Sequence, residues 1–187
     1  MVRLEVETKI KVNPKNVNEL RERIKKIARF RNKTNKYDSY FAIKINGYPK
    51  KAFRIRDDGK KLVVNFKKWL KNYWTKDIVV KEEYEFTINN KDIFLALMKD
   101  LGFREWMEKI KKSESYIYKK NTKVNIEINE VKNLGYFIEI EYIARKEEVK
   151  KAMYTIRSIL KELGIKSNEI NNKGYTKMLW KKRKNRG

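Results

Sequence analysis

Leu4-Glu5-Val6-Glu7-Thr8-Lys9-Ile10 is the stretch that decides the fold. Charged residues alternate with apolar or β-branched ones, and in a β-strand positions i, i+2 and i+4 share a face. Glu5, Glu7 and Lys9 therefore point one way, and Leu4, Val6 and Ile10 the other. Two carboxylates on one face repel unless a positive charge sits between them, and a lysine beside them calls for an anion. A divalent cation bridged to a phosphate meets both demands. Taken alone, the stretch also suits a solvated strand face; the rest of the chain separates the two.

The same two-faced pattern recurs strand after strand. Charged or polar faces read Glu5, Glu7, Lys9, Lys11; Arg54, Arg56; Val63, Asn65, Lys67; and Lys81, Glu83, Glu85. Further on they read Lys109, Lys111, Ser113; Asn125, Glu127, Asn129; and Glu139, Glu141. The opposite faces hold Phe53, Ile55; Leu62, Val64, Phe66; Ile126, Ile128; and Ile138, Ile140. A plain solvent face would mix Thr, Ser, Gln and Lys rather than concentrate acids and bases. About eight such strands suit a closed antiparallel barrel whose lumen carries the charges. An open sheet with one charged face is the alternative. Buried charges are costly unless paired or bound to ions, so such a lumen calls for water, metal and an anionic ligand. The fold class expected is α+β, with helices packed on the barrel's apolar outside.

Helices are predicted from Asn13-Pro14 to about Phe30 and from Asn90 or Asp92 to Leu101. Others are predicted over 146–163 and just after Gly174-Tyr175. Residues 31–36 read as a polar loop and Tyr37–Ile45 as a strand turned by Asn46-Gly47. Asp58-Gly59 reads as a hairpin turn between Ala52–Asp57 and Lys61–Lys67. Residues 69–77 read as a mixed loop, and Ile78–Ile88 as a strand. Strands at about 107–119, 123–131 and 136–144 complete the set. No linker divides the 187 residues, so one domain is expected over 1–180, with a frayed basic tail over 181–187.

The chain has no cysteine and no histidine. That removes disulfides, thiolate chemistry, the commonest general base and the commonest transition-metal ligand. Any metal must be held by oxygen, which favours Mg²⁺, Mn²⁺ or Ca²⁺. No apolar run reaches the ~18 residues that span a bilayer, and no signal-peptide pattern opens the chain. A cytoplasmic location without membrane attachment is expected. The net charge of +24 points to anionic partners, although abundant Lys, Asn, Ile and Tyr are also a compositional background.

These residues resemble a known family. Glu5-x-Glu7-x-Lys9 is similar to the ExExK signature of the CYTH domains, the triphosphate tunnel metalloenzymes, which include class IV adenylyl cyclases, thiamine triphosphatases and inorganic triphosphatases. Asp38-Ser39-Tyr40-Phe41 resembles the family's D-x-Y-F strand, Phe53-Arg54-Ile55-Arg56 its L-R-I-R strand, and Phe66-Lys67 its lysine strand. Lys81-Glu82-Glu83-Tyr84-Glu85 is similar to R-x-E-x-E, and Leu134 to Glu141 to L-G-x-F-x-E-I-E. Gly174-Tyr175 through Leu179 resembles the closing S-Y-x-x-L-L segment. Two positions depart: Ser113 stands where the family has an arginine, and Asn129 where it has an aspartate. Both departures put a second metal site and full activity in question.

The resemblance implies a metal-dependent triphosphatase working inside the tunnel with Mg²⁺ or Mn²⁺. Arg54 and Arg56 would grip phosphate oxygens through paired donors. Lys9 and Lys67 would join them in catalysis, and Lys11, Lys81, Lys109 and Lys111 would add charge along the substrate. Glu5, Glu7, Glu139 and Glu141 form the implied metal cluster, with Glu127 able to compensate for Asn129. Glu83 and Glu85 are assigned to orienting the basic residues. A cyclase making cyclic AMP from ATP, an RNA 5′-triphosphatase and a non-catalytic polyphosphate or nucleic-acid binding module stay open beside hydrolysis. The expected partner is a triphosphate-containing small molecule, with RNA or polyphosphate as the wider class, and the chain a monomer or homodimer. Trp69, Tyr73 and Trp74 lie among Lys67, Lys68, Lys71 and Lys76. Such interleaving suits base stacking; packing of a loop or a subunit contact is the plainer reading.

Overall fold

The computed structural model describes residues 3–57 and 59–185. Eight antiparallel strands close into one barrel. In chain order these are β1 (Arg3–Val12), β2 (Ala28–Ala42), β3 (Phe53–Asp57), β4 (Leu62–Trp69), β5 (Val79–Ile88), β6 (Arg104–Tyr118), β7 (Val124–Val131) and β8 (Gly135–Ala144). Four α-helices accompany them: α1 (Val17–Ile27), α2 (Lys91–Asp100), α3 (Val149–Glu162) and α4 (Tyr175–Lys184). Around the barrel the order is β1-β5-β4-β3-β2-β6-β7-β8, and β8 returns to β1. The first strand therefore closes both seams: Glu5 faces Lys81 on β5, and Glu7 and Lys9 face Glu141 and Glu139 on β8.

Helix boundaries follow local chemistry. Asn13 turns its side chain onto the Lys15 amide at 3.1 Å, and Pro14 follows it. Asn90 accepts from the Ile93 amide at 3.0 Å and starts α2. Gly164 ends the turn after α3 with φ +67, where the Arg23 guanidinium donates to the Leu163 carbonyl at 3.0 Å. A Cβ at 164 would come 2.9 Å from the tip of that flexible guanidinium, so it is the positive φ that calls for glycine there.

The main core lies between the outside of the barrel and two helices. Leu4, Val6, Ile10, Ile126, Ile128, Ile138 and Ile140 pack with Val17 and Ile24 of α1 and with Val149, Ala152, Ile156 and Ile159 of α3. A smaller core of Phe41, Ile55 and Val64 sits under Phe94 of α2. That helix is only half seated, and Ile93, Leu97 and Leu101 stay exposed.

Four boundaries differ from the sequence reading. The first α-helix stops at Ile27, and β2 begins at once with Ala28 in extended backbone. Residues 31–36, read as a loop, are the outer half of β2. There β2 has only β6 as a long partner, since β3 ends opposite Tyr37. With little to cover, Arg29, Arg31, Lys33 and Asn35 stay exposed, and their polarity hides the strand. At its far end β2 stops at Ala42, short of Ile45. The helix α4 runs through Lys184, with Lys182 donating to the Asn133 carbonyl at 2.6 Å. Asp58 of the Asp58-Gly59 turn, and Arg186 and Gly187 of the tail, lie outside the described residues. No helix among the described residues is long and apolar enough to cross a membrane.

Candidate functional site

Strand alternation turns the charged faces of all eight strands into the lumen, and closure brings them within reach of one another. Glu5, Glu7, Lys9, Asp38, Arg54, Lys81, Lys109, Lys111, Ser113 and Asn129 are all buried. Ion pairs compensate most of this burial, as buried charge requires.

Three carboxylates converge inside the lumen. Oxygens of Glu5, Glu83 and Glu141 lie within 4.8 Å of one another. Around them Lys67 reaches Glu5 at 2.5 Å and Glu83 at 3.0 Å, while Lys81 pairs with Glu7 and stands 3.7 Å from Glu5. Burial alone would raise the Glu5 carboxyl, but Lys67 and Lys81 outweigh it and hold it well below the usual carboxylate range. At Glu141 the opposing pull of Lys67 is outweighed: burial, and then the charge of Glu5, push its carboxyl well above that range. An acid forced toward its neutral form beside two other carboxylates marks a spot short of positive charge. The donor set is all oxygen, and it fits a hard divalent cation.

The cations form a second group. Asp38, almost fully buried, accepts from Arg56 Nε at 2.7 Å and from Lys109 at 2.7 Å, with Arg54 at 3.7 Å. Arg54 is held loosely: its guanidinium stands 3.7 Å from Glu83 and 3.9 Å from Glu85. Among the described residues its buried Nε has no hydrogen-bond partner. Next to them along β2 and β6, and on to β7 and β8, Lys111 pairs with Glu127 at 2.8 Å and Glu139 at 3.2 Å, and Lys36 with Glu127 at 2.7 Å. Burial would raise Glu139, but Lys111 and Lys9 pull it down to about 2. Lys9 lies over the Tyr175 ring at 4.3 Å, and Lys109 over the same ring at 5.2 Å. Tyr175, the first residue of α4, thus plugs one end of the lumen against Phe137 and Val131.

The residues expected to bind metal fall into two sets. Glu5 and Glu141 join the carboxylate cluster, with Glu83 as its third member in place of the orienting role alone. Glu7, Glu139 and Glu127 lie outside that cluster and pair with lysines, as Glu5 and Glu83 also do. Of the expected cations, Lys9, Arg54, Arg56, Lys67, Lys81, Lys109 and Lys111 line the lumen, whereas Lys11 is exposed at the end of β1. Ser113 and Asn129 face each other across β6 and β7. The Ser113 hydroxyl donates to Asn129 Oδ1 at 2.7 Å, and Asn129 Nδ2 donates to Glu139 at 2.8 Å. This pair leaves one neutral patch in a charged wall.

Asp38, Lys36 and Tyr175 were not among the expected site residues. Alternation places Lys36 and Asp38 on one face of β2, a signal masked by reading 31–36 as a loop. Tyr175 reaches the lumen only through tertiary packing of α4.

The family model for the CYTH domain matches residues 3–175. The chain belongs to the CYTH family. The PH1819 protein of Pyrococcus horikoshii OT3 shares 28% identity with this CYTH chain at a TM-score of 0.77, over 95% of this chain and 99% of its own. PH1012 of the same organism shares 25% at a TM-score of 0.75, over 91% and 96%. HpAC1 from Hippeastrum, a protein with a dominant triphosphatase activity, has the same fold at 15% identity and a TM-score of 0.63, over 95% and 93%. No curated protein matches the chain. CYTH proteins include triphosphatases and adenylyl cyclases.

Proposed function

We propose that this CYTH chain is a divalent-metal-dependent triphosphate phosphohydrolase acting inside its barrel. One juxtaposition carries the reading. The Glu5, Glu83 and Glu141 carboxylates stand beside Arg54, whose buried guanidinium is 3.7 Å from Glu83 and leaves Nε without a partner. A buried, unsatisfied donor next to an acid cluster whose third carboxylate, Glu141, is pushed toward its neutral form calls for an anion and a cation together. A phosphate chain with its metal supplies both.

In this reading Glu5, Glu83 and Glu141 would hold Mg²⁺ or Mn²⁺, and the bound ion would supply charge neutralisation for the phosphoryl oxygens and for a water nucleophile. Arg54 takes phosphate oxygens through paired donors, while Arg56, whose Nε and Nη2 hold Asp38 at 2.7 and 3.1 Å, adds its remaining amino group. Lys67 and Lys81 neutralise charge beside the acid cluster. Lys9, Lys109 and Lys111 extend the cationic track toward Tyr175 and hold the far phosphates. Lys11, at the exposed end of β1, draws the anion in from outside. Such a fixed array stabilises charge that develops on the transferred group without rearranging during the reaction. Hydrolysis asks only for water near the terminal phosphorus, which a polar lumen provides. Cyclisation also needs a ribose hydroxyl held against the α-phosphorus.

Product analysis with Mg²⁺ or Mn²⁺ on tripolyphosphate, thiamine triphosphate, ATP and 5′-triphosphate RNA tests the proposal. Phosphate released from a small triphosphate is expected. Cyclic AMP from ATP, phosphate released only from RNA, or tight binding with no turnover would each overturn it, in favour of a cyclase, an RNA triphosphatase or a binding module respectively.

A further inference from the structure

Trp69, Tyr73 and Trp74 separate into two roles in the structure. Tyr73 and Trp74 pack against the main core, and Trp74 Nε1 donates to the Val80 carbonyl at 3.0 Å. Trp69 does not follow them. It is the last residue of β4, directly across from Lys81 on β5, and it shares the lumen face with Lys67 two residues earlier. Its ring lies 5.0 Å from the Lys81 ammonium and meets Trp74 edge to face at 5.1 Å. Yet 44% of it is exposed. A tryptophan fixed on two sides, open on the rest and set at the rim of a charged lumen is an offered surface, not a packing residue.

The opening it borders is identified by topology. The end of β4 lies at the same barrel end as the end of β1 and the start of β3, β5, β6 and β8. There α4 covers the wall opposite β4: Tyr175 packs on Phe137 and Val131, and Lys182 bonds the 131–135 turn. Trp69 stands across from that cover. Along β4 it lies about 7 Å, two strand residues, beyond Lys67, whose ammonium touches Glu5 and Glu83 of the carboxylate cluster. A phosphate chain held by Lys67 and Lys81 would therefore deliver its organic end to the Trp69 ring.

We propose that Trp69 is a specificity-determining residue that stacks a planar aromatic group esterified to the triphosphate, such as a nucleobase or the ring system of thiamine. The inference rests on the triphosphate reading of the lumen and narrows it to aromatic organic triphosphates over inorganic ones. Base–aromatic stacking is worth on the order of tenfold to a hundredfold in affinity by truncation.

Calorimetric titration of the full chain tests it, with a non-hydrolysable ATP analogue, thiamine triphosphate and tripolyphosphate as probes. The readout is the ratio of aromatic to inorganic affinity, because a general disturbance of the barrel would lower both. Trp69→Ala should reduce that ratio about tenfold or more for the preferred aromatic ligand, and Trp69→Phe should restore most of it. A loss confined to the ATP analogue identifies a nucleotide, and one confined to thiamine triphosphate identifies the vitamin ester; both support the proposal. A ratio unchanged in Trp69→Ala, or a Trp69→Phe variant no better than Trp69→Ala, overturns it. Turnover is measured separately. Hydrolysis with an unchanged ratio sinks the Trp69 assignment alone, whereas Trp69-dependent binding without hydrolysis sinks only the hydrolase reading.

Discussion

Replacing Asp38 by asparagine keeps the side chain's shape and removes its charge. The carboxylate is fully shielded from solvent and serves three cations: Arg56 at 2.7 Å, Lys109 at 2.7 Å and Arg54 at 3.7 Å. Removing one partner of a buried pair leaves uncompensated charge and costs about 3–5 kcal/mol. With about 2–4 °C of melting temperature per kcal/mol in a domain of this size, Asp38→Asn should melt about 6–20 °C lower. The pH dependence has a definite sign. Burial alone would raise the Asp38 carboxyl, but Lys109, Arg54 and Arg56 outweigh it and hold it well below its ordinary 3.8. A depressed carboxylate stabilises the fold fully above its unfolded pKa and loses that contribution as pH falls toward the folded one. The gap between wild type and variant should therefore hold from pH 7 to about 5 and narrow below about pH 4. Tripolyphosphate should raise the melting temperature of the variant more than that of the wild type, since its charge takes over from the lost carboxylate. Thermal melts at low salt, with and without tripolyphosphate, read all three effects. A shift under about 2 °C at pH 7, or a gap that widens on acidification, would refute this account of Asp38.

Three further predictions follow from the lumen. Glu141→Gln keeps the packing but removes one of three converging carboxylates, so Mn²⁺ affinity by calorimetry should fall about tenfold or more; unchanged affinity would place the metal elsewhere. Asn129→Asp puts a charge against Glu139, 2.8 Å from the amide it replaces, and should destabilise by about 1–3 kcal/mol. Adding Ser113→Arg across the strand pair should recover at least ~1 kcal/mol of coupling in a double-mutant cycle by denaturant unfolding, and additive losses would contradict that pairing. Among the described residues the Tyr175 hydroxyl is buried without a hydrogen-bond partner, so Tyr175→Phe should stay within ~1 kcal/mol of wild type. Tyr175→Ala should lose ~3 kcal/mol or more through the cavity it leaves, and similar losses in both would show that the hydroxyl, not the ring, does the holding.

The barrel was legible because its two-residue period is written into every strand. Lys81-x-Glu83-x-Glu85 and Glu139-x-Glu141 each show a wet face beside an apolar one, and so many acids and bases need a shared enclosure. What alternation cannot convey is which charges meet. Glu7 and Glu141 face each other in register, yet Glu7 is taken by Lys81 while Glu141 turns to Glu5 and Glu83. That choice depends on the stagger of strands around a closed sheet and on side-chain reach, neither of which is local. The outer half of β2 escaped notice for the opposite reason. Lying beyond β3, it carries few of the apolar contacts that make a strand visible. Trp69 was legible as a residue out of place among lysines, but its separation from Trp74 required the course of the chain after β4.

The first strand closes both seams, and this bears on how the protein folds. β2 to β5 and β6 to β8 are meanders that assemble from neighbouring hairpins, so each can form locally. Glu5 must wait for Lys81, and Lys9 for Glu139, before either joins a partner. Pairings of such long sequence separation are entropically slow to make. Until β1 docks, the two meanders are open sheets whose acids and lysines keep their water. Docking dehydrates them together and brings Glu5 to Lys67 and Lys81 and Lys9 to Glu139, whereas Asp38 and Lys109 meet across β2 and β6 without it. Added salt should therefore slow folding chiefly at this step, and β1 should be the strand whose capture sets the folding rate.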